Sequence, residues 1–137
     1  MYLDHAATSP MPPEVLDAYT DALRLVGNPS SIHTDGQSAK TMLEDARAAI
    51  AASVNCDSVE VVFTSGGTEA INLAIKGLYW RREGPGEDGG GVRRRILLTG
   101  AEHHATIDAA EWLAKHEGAE LDWIPVDSVG RIDLAAL

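Results

Sequence analysis

Residues 59–70 read Val59-Glu60-Val61-Val62-Phe63-Thr64-Ser65-Gly66-Gly67-Thr68-Glu69-Ala70. The first five are a short β-branched and aromatic run without helical periodicity, which predicts a buried strand. A turn at Ser65-Gly66-Gly67-Thr68 follows, and then Ala70, Leu73, Ala74, Gly77 and Leu78 recur at the spacing of a helix face. The alternation repeats downstream. Ile96-Leu97-Leu98 reads as a second strand, Ile107, Ala110, Leu113 and Ala114 as a helix face, and Leu121 to Val126 as a third strand. Strand, helix, strand, helix, strand predicts an α/β fold: three layers, α/β/α, around a mainly parallel sheet with right-handed crossovers.

Upstream, Leu16, Tyr19, Leu23 and Val26 lie at helical spacing behind Pro12 and Pro13, where a first turn needs no donors. Gly27-Asn28-Pro29-Ser30-Ser31 ends that helix, and a second is predicted from Gly36 to Ser53 with Ala39, Met42, Leu43, Ala46 and Ile50 inward. Glu83 to Val92 reads as a glycine-rich surface loop, and Gly130 to Leu134 as the entry to a further helix. No internal repeat is visible.

The length of 137 residues and 45% hydrophobic content suit one domain around one core. A net charge of −10 argues against a nucleic-acid partner, which would require clustered Lys and Arg. Arg93-Arg94-Arg95 is the one basic run, and it reads as a solvated strand edge. No apolar run reaches the ~20 residues of a membrane span, and Met1-Tyr2-Leu3-Asp4 does not resemble a leader, so no membrane is expected and the cytoplasm is the expected location. Cys56 is the single cysteine, which rules out an intramolecular disulfide or a thiolate-rich metal centre and reads as a packed thiol.

In open α/β sheets ligands gather beyond the carboxyl ends of the strands, here after Phe63 and after Leu98. Gly66 and Gly67 would let backbone approach a ligand, and Thr68 opens a helix whose free amides and positive dipole end favour an anion such as phosphate. The pattern is neither a P-loop nor a dinucleotide fingerprint, and a plain N-cap stays open beside the anion reading. After Leu98 come Thr99-Gly100-Ala101-Glu102-His103-His104. A histidine here could cover an aromatic cofactor or pass protons, or it could simply cap the next helix.

Four segments in order, Tyr2-Leu3-Asp4-His5-Ala6-Ala7-Thr8, Gly27-Asn28-Pro29-Ser30-Ser31-Ile32-His33, Phe63-Thr64-Ser65-Gly66-Gly67-Thr68-Glu69-Ala70 and Glu102-His103-His104-Ala105, resemble the cysteine desulfurases of the class V aminotransferase family. The resemblance runs through Asn72-Leu73-Ala74-Ile75-Lys76-Gly77 and Pro125-Val126-Asp127, and covers about the first third of a usual member. It implies a pyridoxal 5'-phosphate (PLP) enzyme of fold type I, with residues 1–12 as an amino-terminal arm and 13–137 as an incomplete PLP-binding large domain. The implied activity is removal of sulfur from L-cysteine to leave L-alanine, by a homodimer that passes sulfur through a bound persulfide to an acceptor or scaffold protein, commonly for iron–sulfur clusters. Gly67 and Thr68 would hold the cofactor phosphate, and His103 would stack on the ring and assist proton transfer. The loop from Asn28 to His33 would line the substrate side.

The family's Schiff-base lysine, the acidic partner of the pyridine nitrogen, the persulfide cysteine and the substrate arginine are expected beyond Leu137, so the isolated chain is expected to be inactive. Lys40, Lys76 and Lys115, the only lysines, read as solvated helix charges, and Cys56 does not match the persulfide position. Ile71 departs from the polar residue common in the family. Other readings are a neighbouring class V activity, selenocysteine lyase or small-amino-acid transaminase, and a non-catalytic module of the same fold.

Overall fold

The computed structural model describes residues 1–83 and 92–136 and resolves into two compact units, Met1–Val62 and Phe63–Leu137. The expected glycine-rich loop falls almost wholly on residues 84–91, outside the described residues.

In the first unit, helix α1 (Pro13–Leu23) starts with proline in its first turn, as expected, and the Pro12 carbonyl accepts from the amides of Val15 and Leu16, both at 3.0 Å. It stops at Leu23, so Val26 lies outside it, and the anticipated inner face of Leu16, Tyr19 and Leu23 is exposed. An apolar stripe is buried only where another element packs on it, and α1 buries none of its residues. Helix α2 (Thr34–Val54) follows and ends where Asn55 turns into the left-handed region at φ 56°. Its inward seam is Gly36, Ala39, Leu43, Arg47 and Ala51, whereas Met42, Ala46 and Ile50, expected inside, are exposed. Gly36 sets that seam: a Cβ there would stand 2.6 Å from the Ser31 carbonyl oxygen and 2.7 Å from that of Asn28, so the turn before α2 closes only over glycine.

The strand expected over Val59–Phe63 is not formed. Ser58–Glu60 is a 3-10 turn held by the Asp57 amide donating to the Glu60 carboxylate at 2.8 Å, and Val59 and Val62 are exposed. Val61 has extended backbone, but its carbonyl is taken by the Arg47 guanidinium of α2 instead of a neighbouring strand's amide. β-branched residues favour extension; a strand also needs a ladder partner, and none is present among the described residues.

The second unit holds helix α3 (Gly67–Glu83), strand β1 (Arg95–Thr99), helix α4 (His104–Glu117) and strand β2 (Glu120–Ile124). The two strands pair in parallel, Arg95 with Glu120 through Thr99 with Ile124, joined through α4 as the alternation predicts. Ile96 packs with Ile75 and Ala114 against a core of Tyr79, Leu113 and Ala119, so the helices cover one sheet face. Leu97 points to the other face, half exposed, beside an Arg95–Asp122 ion pair open to solvent. Helix α4 buries Ala105, Ala109, Ala110 and Leu113, close to the expected stripe. Helix α3 is rotated relative to expectation. Ile71, Ile75 and Tyr79 turn inward, and Leu73 and Leu78 stay exposed, because its covering surface comes from α4.

After β2 the chain does not enter a regular helix as expected. Val126 and Ile132 form an antiparallel bridge around a turn in which the Asp127 carboxylate accepts from the amides of Val129 and Arg131, both at 2.9 Å, and one 3-10 turn follows at Leu134–Ala136. Among the described residues, no helix is long and apolar enough to cross a membrane.

Candidate functional site

Two contacts fix how α3 and α4 run. The Lys76 ammonium stands 4.5 Å from the centroid of the Trp112 ring, and the Tyr79 hydroxyl donates to the Glu117 carbonyl at 2.8 Å. Residues 36 and 38 positions apart thus meet in the same order along both helices, which makes the pair parallel. Followed back two to three turns, the helices begin at Gly67 of α3 and at His104 of α4, which His103 caps. Both amino ends therefore open at the same end of the parallel pair. Each carries a partial positive charge of about half a unit.

At the first of these ends, the amides of Gly67, Thr68 and Glu69 and the Thr68 hydroxyl have no hydrogen-bond partner among the described residues. The first intrahelical bond is donated by Ala70 to the Gly66 carbonyl at 3.1 Å. A Cβ built on Gly66 or Gly67 would meet nothing within 4 Å, so the backbone there faces open space. The loop before the helix is nonetheless ordered. The Ser65 amide and hydroxyl both donate to Oε2 of Glu69 at 2.6 Å, and the Thr64 hydroxyl donates to the Gly66 carbonyl at 3.2 Å. Those bonds, the Ser65 hydroxyl first and its amide second, hold the Glu69 carboxyl below the usual carboxylate range.

At the second end, His103 is the N-cap of α4, and its Nδ1 accepts from the Ala105 amide at 3.1 Å. The capping role left open by the sequence is therefore filled. It also settles the neutral ring's tautomer: with Nδ1 accepting, the proton sits on Nε2, which is left to donate outward. The preceding turn is held by the Ala101 amide donating to the Thr99 hydroxyl at 3.3 Å.

Asn28 and His33 lie in the first unit, in the turn ahead of α2. Asn28 Oδ1 accepts from the Ser30 amide at 2.9 Å, and the exposed His33 caps α2 through backbone alone. Lys76 is not the purely solvated charge expected, since it rests on Trp112, whose ring also lies 5.0 Å from that of His116. Cys56 is half-buried at the end of α2, beside an open hollow it shares with Ala52, Asn55, Asp57 and Glu60. No group of His, Cys, Asp and Glu suited to a metal ion occurs among the described residues. Sequence pattern does not single out the Glu69 anchor, because the capping-box signal puts the acidic residue three positions after the hydroxyl residue and Glu69 stands four after Ser65.

Three comparisons bear on this geometry. The aminotransferase class-V family model matches residues 1–137. An IscS-like cysteine desulfurase of Mycobacterium tuberculosis is 47% identical over 136 residues, covering 99% of this chain and 34% of the relative; the cysteine desulfurase IscS of Dictyoglomus turgidum is 40% identical, with 97% and 32% covered. A solved NifS-like protein superposes with a TM-score of 0.84 at 31% identity, over 99% of this chain and 35% of its own. The chain therefore spans about a third of the length of the relatives it matches. With its parallel sheet and helix order it has the fold of part of a PLP-dependent fold type I domain, and it belongs to the class V aminotransferase family.

Proposed function

We propose that this chain supplies the phosphate cradle and ring-covering imidazole of a cysteine desulfurase, in which PLP is the cofactor and L-cysteine is converted to L-alanine with its sulfur passed on through an enzyme-bound persulfide. What supports the reading is a parallel helix pair whose amino ends open at the same end, one with three free amides and a free hydroxyl at Gly67–Glu69, the other with His103 as its cap. The donor set suits a phosphate ester: amides and a hydroxyl, with room at both glycines for oxygens to approach.

When bound, PLP supplies an electron sink for reactions at the α-carbon of an amino acid. In this reading the residues of the chain bind and orient. The amides of Gly67, Thr68 and Glu69, with the Thr68 hydroxyl, hold the phosphate and fix the cofactor's distance from α3. His103, clamped by its bond from Ala105, keeps its ring plane set and holds a proton at Nε2. Asn28 and His33 are assigned to the substrate side. The homodimer, the sulfur acceptor and the cytoplasmic location belong to the same proposal, by family resemblance and composition.

The test uses pyridoxamine 5'-phosphate, whose amine cannot react with Lys40, Lys76 or Lys115. Isothermal titration of the chain should show it binding at least about tenfold more tightly than pyridoxamine, since each charge-assisted hydrogen bond contributes about 1.5–3 kcal/mol. Equal affinity for the two would overturn the cradle. A polypeptide joining this chain to a segment that bears the cofactor lysine should, with PLP and a reductant, form sulfide and alanine from L-cysteine. Pyruvate formed from L-alanine and a 2-oxo acid acceptor, or selenide formed from L-selenocysteine, with no sulfide formed from L-cysteine, would point to another class V activity.

A further inference from the structure

Glu69 is an anomaly for an anion site. Its carboxylate belongs to the first turn of the helix whose amides are free to take a phosphate, and a carboxylate there either competes with the incoming anion or repels it. In the structure it does not reach the free amides of its own turn. A single oxygen, Oε2, accepts from both the amide and the hydroxyl of Ser65 at 2.6 Å, one residue before the glycine pair. Those two bonds draw the charge back across the loop and tie Ser65 to the helix. The Thr64 hydroxyl closes the same loop onto the Gly66 carbonyl at 3.2 Å.

We propose that Glu69 is the positioning residue of the phosphate cradle: held on Ser65, it fixes the Gly66–Gly67 turn and keeps the amides of Gly67 and Thr68 open to the ligand. The inference rests on the reading of this loop as a phosphate cradle. Glycines on both sides of a ligand-facing peptide leave the backbone free to collapse, and a turn that must be ordered during binding lowers affinity. A loop already tied at Ser65 does not carry that cost. The lowered proton affinity of Glu69 agrees with this, since it arises from the same two bonds from Ser65, which favour the ionised carboxylate. Ser65 is the receiving half of the latch. The Thr68 side chain touches the ligand, whereas the Glu69 side chain acts on it only through the loop.

The experiment compares the chain with its Glu69→Ala and Glu69→Gln variants, each first checked by circular dichroism. Pyridoxamine 5'-phosphate and pyridoxamine are titrated into each, and amide hydrogen exchange across residues 64–68 is followed without ligand. Glutamine retains an acceptor for Ser65 and loses the charge; alanine loses both. If Glu69 positions the loop, E69A weakens the phosphate ligand by about fivefold or more, although a negative charge has been removed beside an anion, and speeds exchange at Ser65. E69Q restores both to within about threefold of the parent. The inference is overturned if E69A binds the phosphate ligand as tightly as the parent or more tightly, or if exchange at Ser65 is unchanged. Should the parent itself fail to prefer the phosphate ligand, the cradle reading falls and this inference with it; should the parent prefer it and E69A keep the preference, only the inference falls.

Discussion

Tyr79→Phe removes the hydroxyl that ties α3 to the last turn of α4, and its consequences separate stability from site geometry. Tyr79 is 5% exposed, and its ring lies in the core with Leu113 and Ala119. Its hydroxyl is the donor for the Glu117 carbonyl in the last turn of α4, where no intrahelical amide is available. Phenylalanine keeps the ring packing and leaves that carbonyl without its partner, which costs about 1–2 kcal/mol. With a urea slope of about 2 kcal/mol per molar, the unfolding midpoint should fall by about 0.5–1 M. Ile75 and Leu113 still hold the helices together, so affinity for pyridoxamine 5'-phosphate should stay within about threefold of the parent at a temperature where the variant is folded. An unchanged midpoint would refute the role given to this hydroxyl. A tenfold loss of affinity with unchanged stability would refute the argument that packing carries the register to the amino ends.

Three further outcomes follow from single residues. His103→Asn should keep a side-chain acceptor for the Ala105 amide and hold stability within about 0.5 kcal/mol, whereas His103→Ala should lose about 1 kcal/mol; both should lose the proposed ring cover, read as loss of protection of bound pyridoxamine 5'-phosphate fluorescence from a soluble quencher. Gly36→Ala should destabilise the first unit by about 1–3 kcal/mol in urea, because the added methyl falls on the carbonyls of Ser31 and Asn28. The Glu69 carboxyl, followed by NMR, should titrate below its ordinary value of 4.5. Its lowered folded-state value means that the order it lends the Ser65 loop is complete above pH 4.5 and is lost as pH falls through the folded midpoint; a midpoint at or above 4.5 would contradict the bonds from Ser65.

Much of the second unit is legible in the sequence, because its elements stabilise one another locally. Ile96-Leu97-Leu98, the α4 stripe and Leu121 onward pair and pack as written. The Gly66-Gly67-Thr68 opening and the strand-end His103 are legible for the same reason: both follow from what a helix amino end leaves unsatisfied. What sequence pattern misses is the identity of the covering surface. Leu73 and Leu78 carry the stronger apolar signal on α3, yet α4 meets Ile75 and Tyr79 instead. Val59–Phe63 has strand chemistry without a ladder partner among the described residues, and Arg47 bonds the Val61 carbonyl from fourteen residues upstream. Periodicity reports that a face is apolar; only packing decides which face is used.

The central claim is that the amino ends of α3 and α4 form one phosphate-binding surface. It is tested most directly by adding pyridoxamine 5'-phosphate to isotope-labelled chain and following backbone amides and histidine side chains by NMR. The account predicts the largest shifts at the amides of Gly67, Thr68 and Glu69, together with the His103 ring, and their loss in Thr68→Ala. Shifts centred on other residues, or shifts at Gly67 with none at His103, would contradict it.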